Sequence, residues 1–546
     1  MTFESTNFVI QIIVLVWFIR TIKFVLFWIY LWQLKEYHVG RFIDHFRTHK
    51  GKKLLLDPLL AIKIILLLLL FIKPLLFIWP LLVIYAAESL IFGRQILKRS
   101  VKIPKITFKT GLLVLVSLGI YGLFIRADIF VLLLFDIFVP IIVSLVVLIF
   151  QPFFVIARNR ILKKAAKKIA TYKNLTVIGI TGSYGKTSTK EFLTTILSSK
   201  FKVLATPEHK NSEIGIAQTI LNDLNDKHQI FIVEMGSYNK RGIKLLCDMV
   251  KPKIGIVTGV NEQHLATFGS LENLLSAEGG QELVKALPKN GLIILNGDNK
   301  YCLDLYKNIY AMAGGALKKR IYTVQKNKID SDIWTEDVTV GKESVFFIAK
   351  SREKELAHFK VNVLGAQQVQ NLLGAILLAK EFGMTFGEIA KACENITQEQ
   401  AGMTLKKGVH GINIIDASYS SNPDGVAADL DYLSVFGGKR VIVMPCLIEL
   451  GAESAAIHRR IGQKISQVCL ASPDHAQRDD LAIITTKDKF KEIKEAAVQN
   501  GMNSERILLC DKPQEILHHI TTLCKEGDAV LLEGRVPGEL IRLLEK

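Results

Sequence analysis

Val177-Ile-Gly-Ile-Thr-Gly-Ser-Tyr-Gly-Lys-Thr-Ser-Thr189 decides the reading of this chain. Val177 to Ile180 read as a buried strand, Thr181 to Gly185 as a glycine-bearing turn, and the residues from about Lys186 as a helix. That is the layout of a phosphate-binding loop. Gly182 and Gly185 allow a tight backbone, so several N–H groups can converge on one anion. The helix that follows turns its positive end on the same point. Lys186 is placed to reach outer phosphates, and the Thr187 hydroxyl to hold Mg²⁺. Thr181, Gly182, Ser183, Gly185, Lys186, Thr187 and Ser188 are the candidate nucleotide contacts. The spacing departs from the usual motif in one place. Ile180 stands where a first glycine is usual, and Gly179 comes one position early.

Outward from this stretch, composition divides the chain. Its 546 residues are enough for about three or four domains. The first ~155 residues are dominated by Leu, Ile, Phe and Val, and the remainder has ordinary globular composition. The formal charge of +18 does not point to nucleic acid, because much of the excess lies in short clusters beside apolar runs. The seven cysteines are scattered through the later part without a CxxC pair. That usage fits a reducing compartment, with neither a disulfide framework nor a zinc site.

Apolar runs long enough to cross a bilayer fall at about 7–31, 54–72, 75–93, 110–126 and 129–156. The loops at 34–53 and 94–109 and the segment after 156 are rich in Lys and Arg, whereas the alternate connections hold only Lys73 and Arg126. Five spans, an outside N-terminus and a cytoplasmic bulk satisfy this asymmetry. Arg20 and Lys23 interrupt the first run; they face a bundle interior, snorkel, or place the segment in the interface. Without that span there are four, and the later part is still cytoplasmic. No basic n-region or small-residue cleavage site marks a cleavable signal peptide. Asp136 is either a functional intramembrane acid or a helix–helix contact. Arg158 to Lys173 reads as a basic helix on lipid headgroups, with a solvated linker as the alternative.

After the loop, Phe201 to Ala205, Ile230 to Glu234, Ile254 to Val260 and Leu292 to Asn296 read as short buried strands separated by helical segments. Such alternation implies a mainly parallel sheet with ligands at the carboxyl ends of its strands. Glu234, Asn261, His264, Asn296 and Asp298 follow such ends, and together they suit a nucleotide–Mg²⁺ site. Residues 320–362 suggest a β excursion, and Val369 to Phe382 a helix. From about 408 a second α/β unit begins, with strands at Ile412 to Asp416, Arg440 to Met444, Leu481 to Thr485, Ile507 to Cys510 and Ala529 to Leu532. It has no phosphate loop, and a polar surface loop spans Ala471 to Asp480. A second domain of this kind closes over the first and brings a second substrate.

From about Leu175 to the C-terminus the chain resembles the Mur ligase family. The loop Thr181-Gly-Ser-Tyr-Gly-Lys-Thr-Ser188 is similar to the family form, which explains the missing glycine, and Val233-Glu-Met-Gly236 resembles its strand ending in a metal-binding Glu. Three further stretches are similar to the branch that attaches D-alanyl-D-alanine. They are Asn261-Glu-Gln-His-Leu-Ala-Thr-Phe-Gly-Ser270, Ile415-Asp-Ala-Ser-Tyr-Ser-Ser-Asn-Pro-Asp424 and Ile448-Glu-Leu-Gly-Ala-Glu-Ser-Ala-Ala-Ile-His458.

The apolar runs and basic clusters give a membrane region of about five helices at 1–156 and a basic linker at 157–174, and the resemblance implies a central P-loop ATPase domain with a mainly parallel sheet at 175–407 and a Rossmann-like C-terminal α/β domain at 408–546. It also implies a carboxylate activated by ATP as an acyl phosphate and then attacked by an amine such as D-alanyl-D-alanine. Lys186, Asn261 and His264 would be catalytic. Thr187, Glu234 and His264 would be metal ligands. Asn296 and Asp416 would serve the nucleotide, and Ser418, Tyr419 and Asn422 would lie where the C-terminal domain meets nucleotide and peptide. The implied setting is a bacterial plasma membrane, with the catalytic domains cytoplasmic, membrane lipids as neighbours, and a UDP-linked or lipid-linked muramoyl peptide as acceptor.

The chain also departs from the pattern. Gly280 stands where the family's carbamylated, metal-bridging lysine belongs, and Glu278 is the nearby acid that could replace it. Gln367 and Gln368 replace a His and an Asn, Asp416-Ala417 a paired Asp, and Glu533-Gly-Arg535 a Lys-Gly-Ser. The arginine expected near Gly402 is not evident. The family's UDP-sugar-binding front domain gives way to the apolar runs. A ligase for another envelope polymer, or a nucleotide-binding scaffold without turnover, are the alternatives.

Overall fold

The computed structural model describes residues 3–72, 74–313, 315, 317–325, 329–419, 421–470 and 479–545. Lys73 and most of the expected polar loop, residues 471–478, lie outside them. The chain forms two compact units, Met1–Arg160 and Ile161–Lys546.

The first unit is helical. Its helices are α1 (Phe3–Leu34), α2 (Val39–His45), α3 (His49–Leu55), α4 (Pro58–Ile72), α5 (Pro74–Leu97), α6 (Phe108–Leu123), α7 (Ile129–Ile137) and α8 (Val139–Ile169). Among the described residues four stretches are long and apolar enough to cross a membrane: Phe8–Leu34, His49–Ile72, Phe77–Leu97 and Val139–Ile169. This differs from the five runs read from the sequence. The run at 110–126 holds a helix of 16 residues, about 24 Å long against a hydrocarbon core of ~30 Å. The run at 129–156 is divided at Phe138 between α7 and α8. Pro140 is the cause. It has no N–H to donate, and its ring excludes the carbonyl of Asp136, so α7 cannot continue.

Arg20 faces the interior of this unit. Its guanidinium pairs with Asp136, and its Nε donates to Glu88 Oε2 at 2.6 Å. Lys63 Nζ lies 2.6 Å from the same Glu88 oxygen and 3.2 Å from Asp136 Oδ2. The four buried charges cancel and join α1, α4, α5 and α7. Asp136 is therefore a helix–helix contact. Among apolar neighbours such a set is tolerated because every charge has a partner.

The second unit starts inside α8. Leu162, Ala165 and Ile169 follow a helical repeat and are buried in the α/β core, and Lys168 Nζ donates to the Leu221 carbonyl at 2.9 Å. The helix expected on lipid headgroups thus uses its apolar face within the protein, and Lys163, Lys164 and Lys167 remain exposed on the other side.

Nine strands make the first sheet: β1 (Thr176–Thr181), β2 (Val203–Ala205), β3 (Ile230–Glu234), β4 (Ile254–Val257), β5 (Leu292–Asn296), β6 (Lys318–Gln325), β7 (Ile333–Val340), β8 (Val345–Ser351) and β9 (Leu356–Val361). Their order is β2-β3-β1-β4-β5-β6-β7-β8-β9. The sheet is parallel through β7, and β8 and β9 extend it antiparallel. The expected β excursion is therefore an extension of the same sheet. The central strands are apolar on both faces, as strands covered by helices on both sides must be.

A second sheet contains β10 (Thr404–Lys407), β11 (Asn413–Ala417), β12 (Arg440–Met444), β13 (Leu481–Ile484), β14 (Ile507–Leu509) and β15 (Ala529–Glu533), in the order β10-β11-β15-β12-β13-β14. Only β10 runs antiparallel. This sheet begins at Thr404, ahead of the expected boundary at 408, because β10 pairs with β11. Both sheets turn their carboxyl edges to the loops described next.

Candidate active site

The site grows from the end of β1. Gly182 has φ +143, and a Cβ there would lie 2.3 Å from Thr258 Oγ1; Gly185 has φ +74 and is pressed in the same way by Asn371. Both positions exclude side chains, so the loop lies flat against β4 and the helix Gln367–Glu381. The strand expected to reach Val260 stops at Val257, and the residues after it hold the loop. Ser183 N donates to the Gly259 carbonyl at 2.7 Å, and Thr258 N to the Thr181 carbonyl at 3.0 Å. Helix α9 (Lys186–Ser198) starts directly after Gly185. Lys186 Nζ donates back to the Gly182 carbonyl at 2.5 Å. Ser188 Oγ reaches the Ala401 carbonyl at 3.3 Å.

Two buried carboxylates flank this loop. On one side is Glu234, at the end of β3. Its Oε1 accepts from Thr187 Oγ1 and from Asn211 Nδ2, each at 3.0 Å. Lys190, fully buried on α9, lies 3.6 Å from Oε2. On the other side is Glu278, only 1% exposed. Its Oε2 accepts from Ser183 Oγ at 3.0 Å, and its Oε1 lies 3.2 Å from His264 Nδ1. Burial alone would push the Glu278 carboxyl up. The charges of His264 and Lys186 and the bonds from His264 and Ser183 outweigh burial and hold it below the ordinary carboxylate range.

The segment expected to face the loop through position 280 does so through Glu278. Gly280 has φ +86 and caps the helix Gln281–Ala286. A Cβ there would meet Val257 Cγ2 at 2.5 Å, inside the core. The cue in the sequence was an acid just before two glycines, Glu278-Gly-Gly280. Lys190 is a site residue that the sequence reading missed. Its cue was spacing, since it lies one helical turn after Thr187 and Lys186 and shares their face.

The remaining candidates divide. Asn261 Nδ2 donates to Asn422 Oδ1 and Asp424 Oδ2, both at 2.9 Å, and so links the end of β4 to the helix after β11. His264, in a left-handed conformation, has its Nε2 3.9 Å from Glu449 Oε2. Tyr419 stacks on His209 with ring centroids 5.2 Å apart. Asn296 is fully buried, donates to the Thr258 carbonyl at 2.9 Å and accepts from Asp298 N at 3.0 Å. Asp416 accepts from Ser418 N at 3.0 Å. Among the described residues neither Asn296 nor Asp416 hydrogen-bonds to the loop. Glu533, at the end of β15, is buried beside Asp429, which accepts from Gln367 Nε2 at 2.8 Å. Burial pushes both carboxyls up, and the mutual repulsion raises Glu533 further.

For a divalent ion the donors near Thr187 are hard oxygens, a hydroxyl and one carboxylate. That set suits Mg²⁺, which keeps waters and takes phosphate oxygens as its other ligands.

Comparison with known proteins bears on the same residues. The Mur ligase middle domain matches residues 180–379, and the Mur ligase, glutamate ligase domain, matches residues 403–536. The UDP-N-acetylmuramoyl-tripeptide–D-alanyl-D-alanine ligase of Mycobacterium leprae is 30% identical over 402 residues, 68% of this chain and 74% of that protein. The enzyme of the same name from Bacillus subtilis is 26% identical over 375 residues, 68% of this chain and 76% of its own length. Among solved structures, MurF from Acinetobacter baumannii has the same fold, with a TM-score of 0.61 at 21% identity, covering 71% of this chain and 81% of that one. MurF ligase from Thermotoga maritima in complex with ADP gives 0.59 at 23% identity, covering 71% and 83%. By the matched domains and by its similarity to the Mycobacterium leprae enzyme, the chain belongs to the Mur ligase family.

Proposed function

We propose that this Mur ligase uses ATP to activate a carboxylate of a muramoyl peptide and joins it to an amine such as D-alanyl-D-alanine. The observation that carries the reading is the pair of buried carboxylates bonded to opposite sides of one phosphate loop, Glu234 through Thr187 and Glu278 through Ser183. Anions beside an anion-binding loop make sense where cations come in with the phosphates.

The roles follow from position. The loop amides from Gly182 to Thr187 cradle the phosphates, and Lys186 swings from the Gly182 carbonyl to the transferring group. Thr187 and Glu234 would hold Mg²⁺, which would supply charge neutralisation at the phosphates. Glu278 fixes the His264 ring from its Nδ1 side, leaving Nε2 directed to the far wall of the site. Asn261, already bonded to Asn422 and Asp424, keeps the C-terminal domain over the acyl phosphate while the amine attacks. Asn296 braces the Thr258 carbonyl under the loop. The alternative of a nucleotide-binding scaffold without turnover rested on Gly280, and Glu278 beside the loop speaks against it.

The apolar stretches and the Lys/Arg-rich segments beside them support a setting in a bacterial plasma membrane with the α/β domains cytoplasmic, and in this reading the acceptor is presented there in lipid-linked form. The test is ATP-dependent ligation by the full chain in lipid nanodiscs, offered soluble UDP-muramoyl tripeptide or its lipid-linked counterpart, with Lys186→Ala as blank. Amide product and phosphate release that depend on both substrates support the ligase. Equal use of the soluble acceptor overturns the membrane-held part of the reading.

A further inference from the structure

Lys190 is a group at this site whose place the ligase reading does not explain. Its ammonium is fully buried one turn into α9. Nζ is 2.9 Å from the Thr206 carbonyl, 2.8 Å from Glu191 Oε1 and 3.6 Å from Glu234 Oε2. An ammonium has three N–H bonds, and here each has one oxygen to face. Two carboxylates and a carbonyl are also the donor set of a hard divalent cation. The lysine therefore fills, with a covalently attached charge, a cage that a metal ion would otherwise take.

The other face of Glu234 differs. Oε1 is turned to Thr187 Oγ1 and Asn211 Nδ2, at the mouth of the phosphate loop. A divalent ion arriving there finds one carboxylate oxygen and one hydroxyl, with an ammonium behind the carboxylate. That is too few ligands and too little negative charge for firm binding, until nucleotide phosphates add both.

We propose that Lys190 is a built-in cation that makes loading of the divalent metal at Glu234 conditional on bound nucleotide. The inference rests on the assignment of Thr187 and Glu234 as the metal seat. Lys190 is a positioning residue: it touches neither substrate nor metal, and it acts through Glu234. Its loss frees Glu234 Oε2, Glu191 and the Thr206 carbonyl for a metal ion, so the variant gains binding.

The experiment is a Mn²⁺ titration of the full-length protein in detergent, read by electron paramagnetic resonance, with and without ADP. The wild type retains Mn²⁺ only with ADP. Lys190→Met retains it without nucleotide, on the order of tenfold more tightly or better, because a unit charge a few ångströms from a divalent ion opposes it by at least that much. Lys190→Arg keeps the charge and stays nucleotide-dependent. Lys190→Gln, which still donates to the Thr206 carbonyl, carries the test if the Met variant is insoluble. Nucleotide-independent retention by the wild type, or no gain in the neutral variants, overturns the proposal. If the wild type holds no Mn²⁺ even with ADP, and Glu234→Gln matches it, the assignment of the seat itself fails instead.

Discussion

Buried charge is handled in two ways in this molecule. In the helical unit, Arg20, Lys63, Glu88 and Asp136 close on one another and cancel. In the α/β unit, Glu234 and Glu278 also have protein partners, but Thr187, Ser183 and His264 are partners that a ligand can reorganise. The residue types are nearly the same. What separates a fastener from a site is whether the set is complete without a ligand. Substitutions in the first set should therefore damage folding and spare chemistry, and those in the second the reverse.

The largest effect expected is in the second set. Lys186→Ala removes the charge that follows the transferring phosphoryl group, and ligation should fall roughly 10³-fold. Stability should shift by less than about 1 kcal/mol, because the lysine is only half-buried and its bonds are to two main-chain carbonyls. A large loss of stability would place the loop among the fasteners. The mirror experiment is Asp136→Asn, which leaves the guanidinium of Arg20 facing a neutral amide and Lys63 one acid short. Removing one partner from a buried ion set costs about 3–5 kcal/mol. Thermal scans in detergent should show that loss, while the kcat of the folded fraction stays near wild type. A selective fall in kcat would make the helical set part of the mechanism.

Glu278→Gln sharpens the comparison from inside the site. The amide keeps the Ser183 bond and the shape but loses the charge facing His264. Turnover should fall by roughly 10–100-fold, the usual cost of losing a carboxylate that orients a functional histidine. Val, Asp or Ala at 280 tests the reverse point. Their Cβ enters the space of Val257, so they should cost stability before activity.

These expectations also mark how much could be read beforehand. The phosphate loop, the ends of β3 and β5 and the alternation of strands and helices were legible, because periodicity and glycine placement are local. The carboxylate opposite Glu234 was legible only as a candidate, Glu278, and its place beside Ser183 was not. Position 280 was judged by its spacing, whereas the turn Glu278-Gly-Gly280 rotates the chain and directs residue 278 to the loop. The break at Phe138 was carried by Pro140, but hydropathy alone runs straight through it. The closed ion set joins residues 20, 63, 88 and 136, and no window along the chain holds them together.

The smallest effect concerns a pair that belongs to neither class. Asp429 and Glu533 are buried together, both carboxyls are raised, and Gln367, on the helix packed against the phosphate loop, donates to Asp429. Burial raises each of them, and no cation is among the groups that shift either. A carboxyl raised in the folded state keeps its proton after the unfolded chain has released its own. Stability is therefore full at low pH, below the ordinary carboxylate range near 4, and falls as pH rises through the folded values. Across that range each carboxyl that is still protonated in the folded chain and ionised in the unfolded one lowers stability by ~1.4 kcal/mol per pH unit, seen as a lower melting temperature. Glu533→Gln removes the repulsion and leaves Asp429 a neutral neighbour that can donate a hydrogen bond. The melting temperature of that variant should rise at pH 8, stay unchanged at pH 5, and lose most of its slope between them. An unaltered slope would mean that the pair is ionised and matched by a charge on its surroundings, which would return it to the fasteners.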